Sequence, residues 1–430
     1  MHISIHKLEN GLPVILINTK AFPSVTTMVL VGAGSRYENT KNNGIAHFFE
    51  HMAFKGSKTY PDAFTISSTI DRLGGVFNAF TSKDHTGYWV KAPNSHFGKV
   101  IDVLSDMILH PKLLQEEIDR EKNVIVEEIN MYEDMPSRKV SDIFDDLLFN
   151  GHPLSYDIAG TTKTVTNFTR KTFTDYIDTY YHPHNAVIVV AGGLTQKVNI
   201  DSPEVTEDWY LQQIQNKFNA WKPKKKHTFE KFINNQTKPA ISVKYKKTEQ
   251  AHFSLGFKAF SFKDDRRHIL SVLSAILGGG MSSRLFMEVR ERRGLCYYIS
   301  TGRDLYEDTG YIVTQAGVTN NKEKLQESIN VVLKEHTKIA NGEVTDEEVE
   351  KAKEMLKGRF LLSIEDSHDV ASLIGTKYLL DNRIVYPEDT LEHIEQVTKA
   401  DIINLAKELF IPATLNIAVI GPFKEEDIKI

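Results

Sequence analysis

The sequence predicts an α+β protein of two homologous domains, each a mostly antiparallel β-sheet layered with helices. Three observations carry that expectation. Strand-like and helix-like patterns alternate through the first 195 residues. A polar zone follows from about residue 196 to residue 239 and includes four lysines between residues 222 and 226. The pattern then restarts, and the two halves close on similar buried strands, residues 186–193 and 414–421. At 430 residues the chain is also too long for one ordinary core. The expected division is a first domain over residues 1–215, a linker over 216–238 and a second domain over 239–430.

In order along the first half, residues 12–17 and 24–31 are apolar and β-branched and lie between glycine-bearing turns, the mark of strands. Asn42, Asn43 and Gly44 offer a start for a helix over residues 45–54, which Gly56 closes. A helix over 65–73, a Gly74-Gly75 break and strands over 78–82 and 85–90 come next. A helical zone then runs from 98 to 133, interrupted near His110-Pro111. In the second half, strands are expected over 241–245, 251–257, 297–301 and 310–317. Helices are expected over 266–277, 283–291, 322–340 and 346–364.

Apolar residues at 41%, charged residues at 25% and a formal net charge of −5 are ordinary for a globular protein. They give no reason to expect nucleic acid as a partner. The longest apolar runs have strand length, far short of the about 20 residues of a membrane span. The start of the chain lacks a basic-then-apolar signal pattern, so a cytoplasmic protein is expected. The single cysteine, Cys296, rules out an internal disulfide, fits a reducing compartment and reads as an inert packed thiol.

The chemistry lies in His47-Phe-Phe-Glu-His51. On a helix, positions i and i+4 share a face, so both imidazoles can reach one ion. Glu50 shares that face and can approach a water at the ion's open position without itself being a ligand. The flanking Ala46, Phe48, Phe49, Met52, Ala53 and Phe54 make the segment mostly buried. Three ionisable groups there are costly unless they pair or bind a metal. The helix near residues 117–132 offers the third ligand. Its apolar stripe of Ile118, Ile125, Ile129 and Tyr132 also contains Glu121 and Glu128, two turns apart. Glu128 is assigned as the ligand and Glu121 as the acceptor that orients a ligand. Glu127, rotated by about 100°, is expected at the surface. Two nitrogens and one oxygen favour zinc, one ion per chain.

These residues resemble the pitrilysin and mitochondrial processing peptidase family, whose string is H-x-x-E-H followed far downstream by a glutamate ligand. Glu127 lies 76 and Glu128 77 residues after His51, and spacing does not choose between them. The family's accessory glutamate, seven residues before the ligand, does: Glu121 stands seven before Glu128, whereas Arg120 stands seven before Glu127. The likeness extends over Val31–Asn39, Asn43–His47, His51–Gly56, Gly74–Thr81, Gly278–Phe286 and Arg290–Tyr297. It implies that the chain is half of a clamshell and that two chains enclose a substrate chamber. It also implies that Asn78, Ala79 and Phe80 lie on an edge strand that pairs with an extended peptide. Arg290 and Tyr297 would grip the substrate backbone and the developing oxyanion. A zinc endopeptidase acting as a homodimer on peptide substrates is therefore expected. The alternatives are a catalytic subunit that needs a zinc-free partner, and a non-catalytic subunit of the same fold. His182-Pro-His184 is expected to be a structural turn, Gly278-Gly-Gly280 no anion cradle, and His85 and Tyr88 walls of the cleft.

Overall fold

The computed structural model describes residues 1–19, 23–194 and 206–430. The first part of the polar zone, residues 196–205, lies outside the described residues. Two compact units emerge, and each interleaves segments from both halves of the sequence. The first contains Met1–Ile129, Asp157–Glu230 and Ser363–Val385; the second contains Asn130–Tyr156, Lys231–Leu362 and Tyr386–Ile430.

The first unit is built on strands β1 (His2–Lys7), β2 (Pro13–Asn18), β3 (Ser24–Val31), β4 (Val76–Thr81), β5 (Thr86–Pro93) and β6 (Ala186–Gly192), in the order β1-β2-β6-β3-β5-β4. Only β2 and β6 run parallel, with Val14 opposite Ile188, and the remaining pairs are antiparallel. The central β6 is buried along its whole length, which is why it reads as an unbroken apolar run and not as an alternation. Strand β1 is absent from the sequence expectation. Its alternation rests on Ile3 and Ile5 alone, set between His2, Ser4 and His6, and it is an edge with modest burial.

Helices α1 (Ile45–Ala53), α2 (Ala63–Arg72), α3 (Phe97–Leu109) and α4 (Gln115–Glu133) follow the chain order. Next come α5 (Pro136–Leu148), α6 (Thr162–Asn167), α7 (Arg170–Tyr180) and α8 (Glu207–Phe218). One face of the first sheet is sealed by a core that includes Phe48, Phe49, Phe97, Phe173 and Phe218. Opposite it, Ile15, Met28, Leu30, Val187 and Val189 meet Val370, Ala371 and Ile374.

The second unit contains β7 (Ala240–Tyr245), β8 (Gln250–Ala259), β9 (Cys296–Leu305), β10 (Gly310–Thr319) and β11 (Leu415–Gly421), in the order β7-β11-β8-β10-β9. Set aside β1, and this is the order of the first sheet: first strand, last strand, second, fourth, third. Its one parallel pair, β7 with β11, corresponds to β2 with β6. Its helices are α9 (Arg267–Gly278), α10 (Lys322–Ala340), α11 (Asp346–Ser363), α13 (Pro387–Glu395) and α14 (Lys399–Leu409). The intervening α12 (Ser367–Asp381) belongs to the first unit.

The exchange is reciprocal. Helix α5 lies against β11 and β8, with Val140, Phe144 and Leu148 on Tyr311, Ala418 and Ile420. Helix α12 lies against β6 and β3, where Gly375 permits close approach: a Cβ there would sit 2.6 Å from Val189 and 2.7 Å from Leu30. A linear division at residues 215 and 239 does not anticipate this, because an apolar stripe shows that a helix is covered and not what covers it.

The helix expected over 283–291 is π-helical from Phe286 to Glu291, with the Arg292 amide bonded to the Met287 carbonyl. His182–Asn185 is a turn that leads into β6, with Pro183–Asn185 in a 3-10 helix. Tyr88 is core and no cleft wall: it is fully buried, and its hydroxyl pairs with that of Tyr181.

Candidate metal centre

Helix α1 is fixed from both sides. Ile45, Phe48, Phe49 and Met52 are buried, which turns His47, Glu50 and His51 away from the core. Its first turn is held by a residue that sequence reasoning missed, Glu38. One carboxylate oxygen accepts from the Gly44 amide at 2.7 Å and the Asn43 side chain at 3.0 Å, and the other from the Ala46 amide at 2.8 Å. The cap lies outside the helix by sequence, so no local pattern reveals it. Gly44 itself has φ +95°, a left-handed conformation that suits glycine. Burial pushes the Glu38 carboxyl up to about 8, against the pull of these donors. E38A leaves three buried N–H groups without their acceptor. It should cost about 2–3 kcal/mol in urea unfolding, and a loss under about 0.5 kcal/mol would refute the capping role.

Helix α4 presents the second half of the site. Ile118 and Ile125 are buried, Glu121 is only 3% exposed, Glu128 is half-buried and Glu127 is exposed. His47 Nε2 lies 3.6 Å from Glu128 Oε1, and His51 Nε2 lies 3.7 Å from Glu128 Oε2. A ligand atom from each of the three lies within 4.8 Å of the others, and no other such group of His, Cys, Asp and Glu occurs among the described residues. A tetrahedral zinc with bonds of about 2.0–2.1 Å needs donors about 3.3–3.4 Å apart, close to both histidine–glutamate separations. The donor set fits zinc.

Glu121 does not point at the same space. His51 Nδ1 donates to Glu121 Oε1 at 2.9 Å, which leaves Nε2 facing Glu128. Lys55, one further turn along, pairs with Glu121 Oε2 at 2.5 Å. Burial opposes the charge on Glu121, but His51 and Lys55 outweigh it and hold the carboxyl below its usual range. In turn burial lowers the His51 imidazole, and the carboxylates of Glu121, Glu128 and Glu50 together more than reverse this. The pocket thus favours positive charge. Lys55 was present in the sequence as the i+4 neighbour of His51, but its link to Glu121 is tertiary.

Glu50 stands beside the donors. Burial raises its carboxyl, opposed by the Thr81 hydroxyl, which donates to Oε2 at 2.6 Å. Thr81 ends β4, the free edge of the first sheet. On that strand Asn78 is exposed and its Oδ1 accepts from the Ala79 amide at 2.9 Å. Phe80 is half-buried on the opposite sheet face from α1, packed over Gly87, so its side chain is a packing group. In the second unit, Arg290 and Tyr297 come together: the guanidinium lies 5.8 Å from the Tyr297 ring centre and 4.6 Å from that of Phe286. Tyr297 is 74% exposed near the start of β9, itself a sheet edge. Cys296 is buried, and burial pushes its thiol up to about 11.

Two duplicated α+β units and an inverted two-histidine helix facing a glutamate define a class, the zinc-peptidase fold with the inverted motif. Comparison with known proteins agrees. Residues 13–162 match the insulinase family, peptidase family M16, and residues 167–356 match the peptidase M16 inactive domain. The chain is 35% identical over 407 residues to a Bacillus subtilis protein named uncharacterized zinc protease YmxG, covering 94% of each. It is 33% identical to an uncharacterized zinc protease of Mycobacterium leprae, over 97% of this chain and 91% of that one. A crystal structure of a protease from Helicobacter pylori superposes with a TM-score of 0.89 at 26% identity, over 98% of this chain and 100% of that one. The chain belongs to peptidase family M16. All three candidate ligands and Glu50 lie in the segment matched as insulinase family. Among the described residues, no helix is long and apolar enough to cross a membrane.

Proposed function

We propose that the chain is a zinc-dependent endopeptidase that cuts peptides or unfolded precursor segments in a chamber enclosed by two identical protomers. The observation that carries this reading is the convergence of His47, His51 and Glu128 with Glu50 on the same helical face. One zinc per chain, held by these three residues, would polarise the scissile carbonyl and acidify an attacking water. Glu50 takes the proton of that water and returns it to the leaving amine. Glu121 orients His51, with Lys55 balancing its charge. The edge strand at Asn78, Ala79 and Phe80 receives the substrate through its backbone, which accepts varied side chains. Half-buried Arg290 and exposed Tyr297, the guanidinium 5.8 Å from the ring centre, suit contact with the substrate backbone and the developing negative charge. The lone, buried Cys296 accords with work in the cytoplasm.

Size-exclusion chromatography with light scattering, run beside cleavage of a quenched fluorescent peptide, tests the assembly. The expected result is a particle of about twice the 48.9 kDa chain mass with activity in the same fraction. An inactive dimer or an inactive monomer refutes self-sufficiency and favours a zinc-free partner subunit.

A further inference from the structure

We propose that Thr81 is a positioning residue that anchors the Glu50 carboxylate and ties it to the strand that receives the substrate. This inference rests on the peptidase reading above and extends it to a residue that the reading does not use.

The two oxygens of Glu50 have different surroundings. Oε2 accepts the Thr81 hydroxyl at 2.6 Å, a short charge-assisted hydrogen bond. Oε1 accepts no hydrogen bond from the described residues. One oxygen is therefore anchored and the other is open to exchange a proton. Rotation about the last side-chain torsion of a glutamate is broad and nearly two-fold, so without the anchor the open oxygen has no fixed direction. Proton transfer in turn depends on hydrogen-bond reach to the attacking water.

Thr81 is itself firmly placed. It pairs with Thr86 on β5, and the following turn is clamped: the Ser82 amide donates to the His85 carbonyl at 2.9 Å, and the Ser82 hydroxyl to the same carbonyl at 2.8 Å. The Ser82 and Lys83 carbonyls accept from the Ser35 and Arg36 amides at 3.1 and 3.0 Å. The middle of β4 carries Asn78 and Ala79 on an unpaired edge. A peptide that adds to this edge orders the same strand whose last side chain holds the base. Binding and proton transfer thus share one rigid element, and valine, which has the shape of threonine without the hydroxyl, separates them.

The test compares wild type, T81V, T81S and E50Q for steady-state cleavage of a quenched peptide, zinc content and melting temperature. T81V should lose on the order of 10²-fold in kcat, the scale of an ångström-level misplacement of a catalytic group. Its KM and zinc content should stay at wild-type values. T81S, which keeps the hydroxyl, should recover most of that turnover. If T81V does not fold, T81A carries the same prediction. Unchanged kcat in the variant lacking the hydroxyl, or T81S as impaired as T81V, overturns the inference while an inactive E50Q leaves the peptidase reading standing. E50Q cleaving at the wild-type rate overturns that reading itself.

Discussion

E50Q should bind zinc like the wild type but turn over substrate more slowly by several orders of magnitude. Glutamine has nearly the shape of glutamate, and its carbonyl can still accept the Thr81 hydroxyl, so α1 and the three donors stay in place. What is lost is the ability to take a proton. General-base catalysis is worth about 10²–10⁴-fold on its own. Here the same group also returns the proton to the leaving amine, so the loss should reach the upper end of that range. Metal analysis by atomic absorption and single-turnover cleavage together decide the matter. Near-normal cleavage would remove Glu50 from the base role, and loss of zinc would show it to be part of the metal site instead.

The second large effect is on the metal. E128Q replaces a charged donor with a neutral amide at 3.6 and 3.7 Å from the two imidazoles. Two histidines alone do not make a closed three-ligand site. Zinc affinity should fall by more than the about 10–100-fold typical of losing an outer hydrogen-bond partner, and cleavage should vanish with it. E121Q, which touches the metal only through His51, belongs in that lower range. E127Q, one residue away and exposed, should keep its zinc. Chelator competition with a zinc indicator ranks the three. Full occupancy in E128Q would displace Glu128 from the ligand set, and depletion in E127Q would place Glu127 on the metal-facing side of α4.

What could be read from the chain follows from where the signal is local. The pair of histidines on α1 is set by helical periodicity alone, and the burial of Glu121 and exposure of Glu127 follow from the stripe of Ile118 and Ile125. Strands β2, β3, β6, β8 and β11 are dense in apolar residues and stand out for that reason. Contacts between distant residues leave no such trace. The caps by Glu38, the Thr81 bond to Glu50 and the Lys55 bond to Glu121 each join segments whose spacing carries no period. No sequence expectation covers residues 136–180 or 367–409, which hold α5 to α7 and α12 to α14. Helices α6 and α13 are short and α12 is irregularly patterned, and Pro, Asn and Thr separate the elements. Phe80 shows the opposite hazard: it shares a motif with Ala79 and Thr81, but strand alternation turns its side chain, like that of Asn78, to the sheet face away from α1.

The traded helices α5 and α12 bear on how such a molecule can arise and be dismantled. Each repeat leaves one side of its own sheet greasy and bare, and the other repeat supplies the lid. A lone repeat expressed by itself would expose that surface and clump. Two loose copies, however, could trade lids with each other. Each sheet is thus covered only where both repeats are present, in one chain or in two that exchange helices.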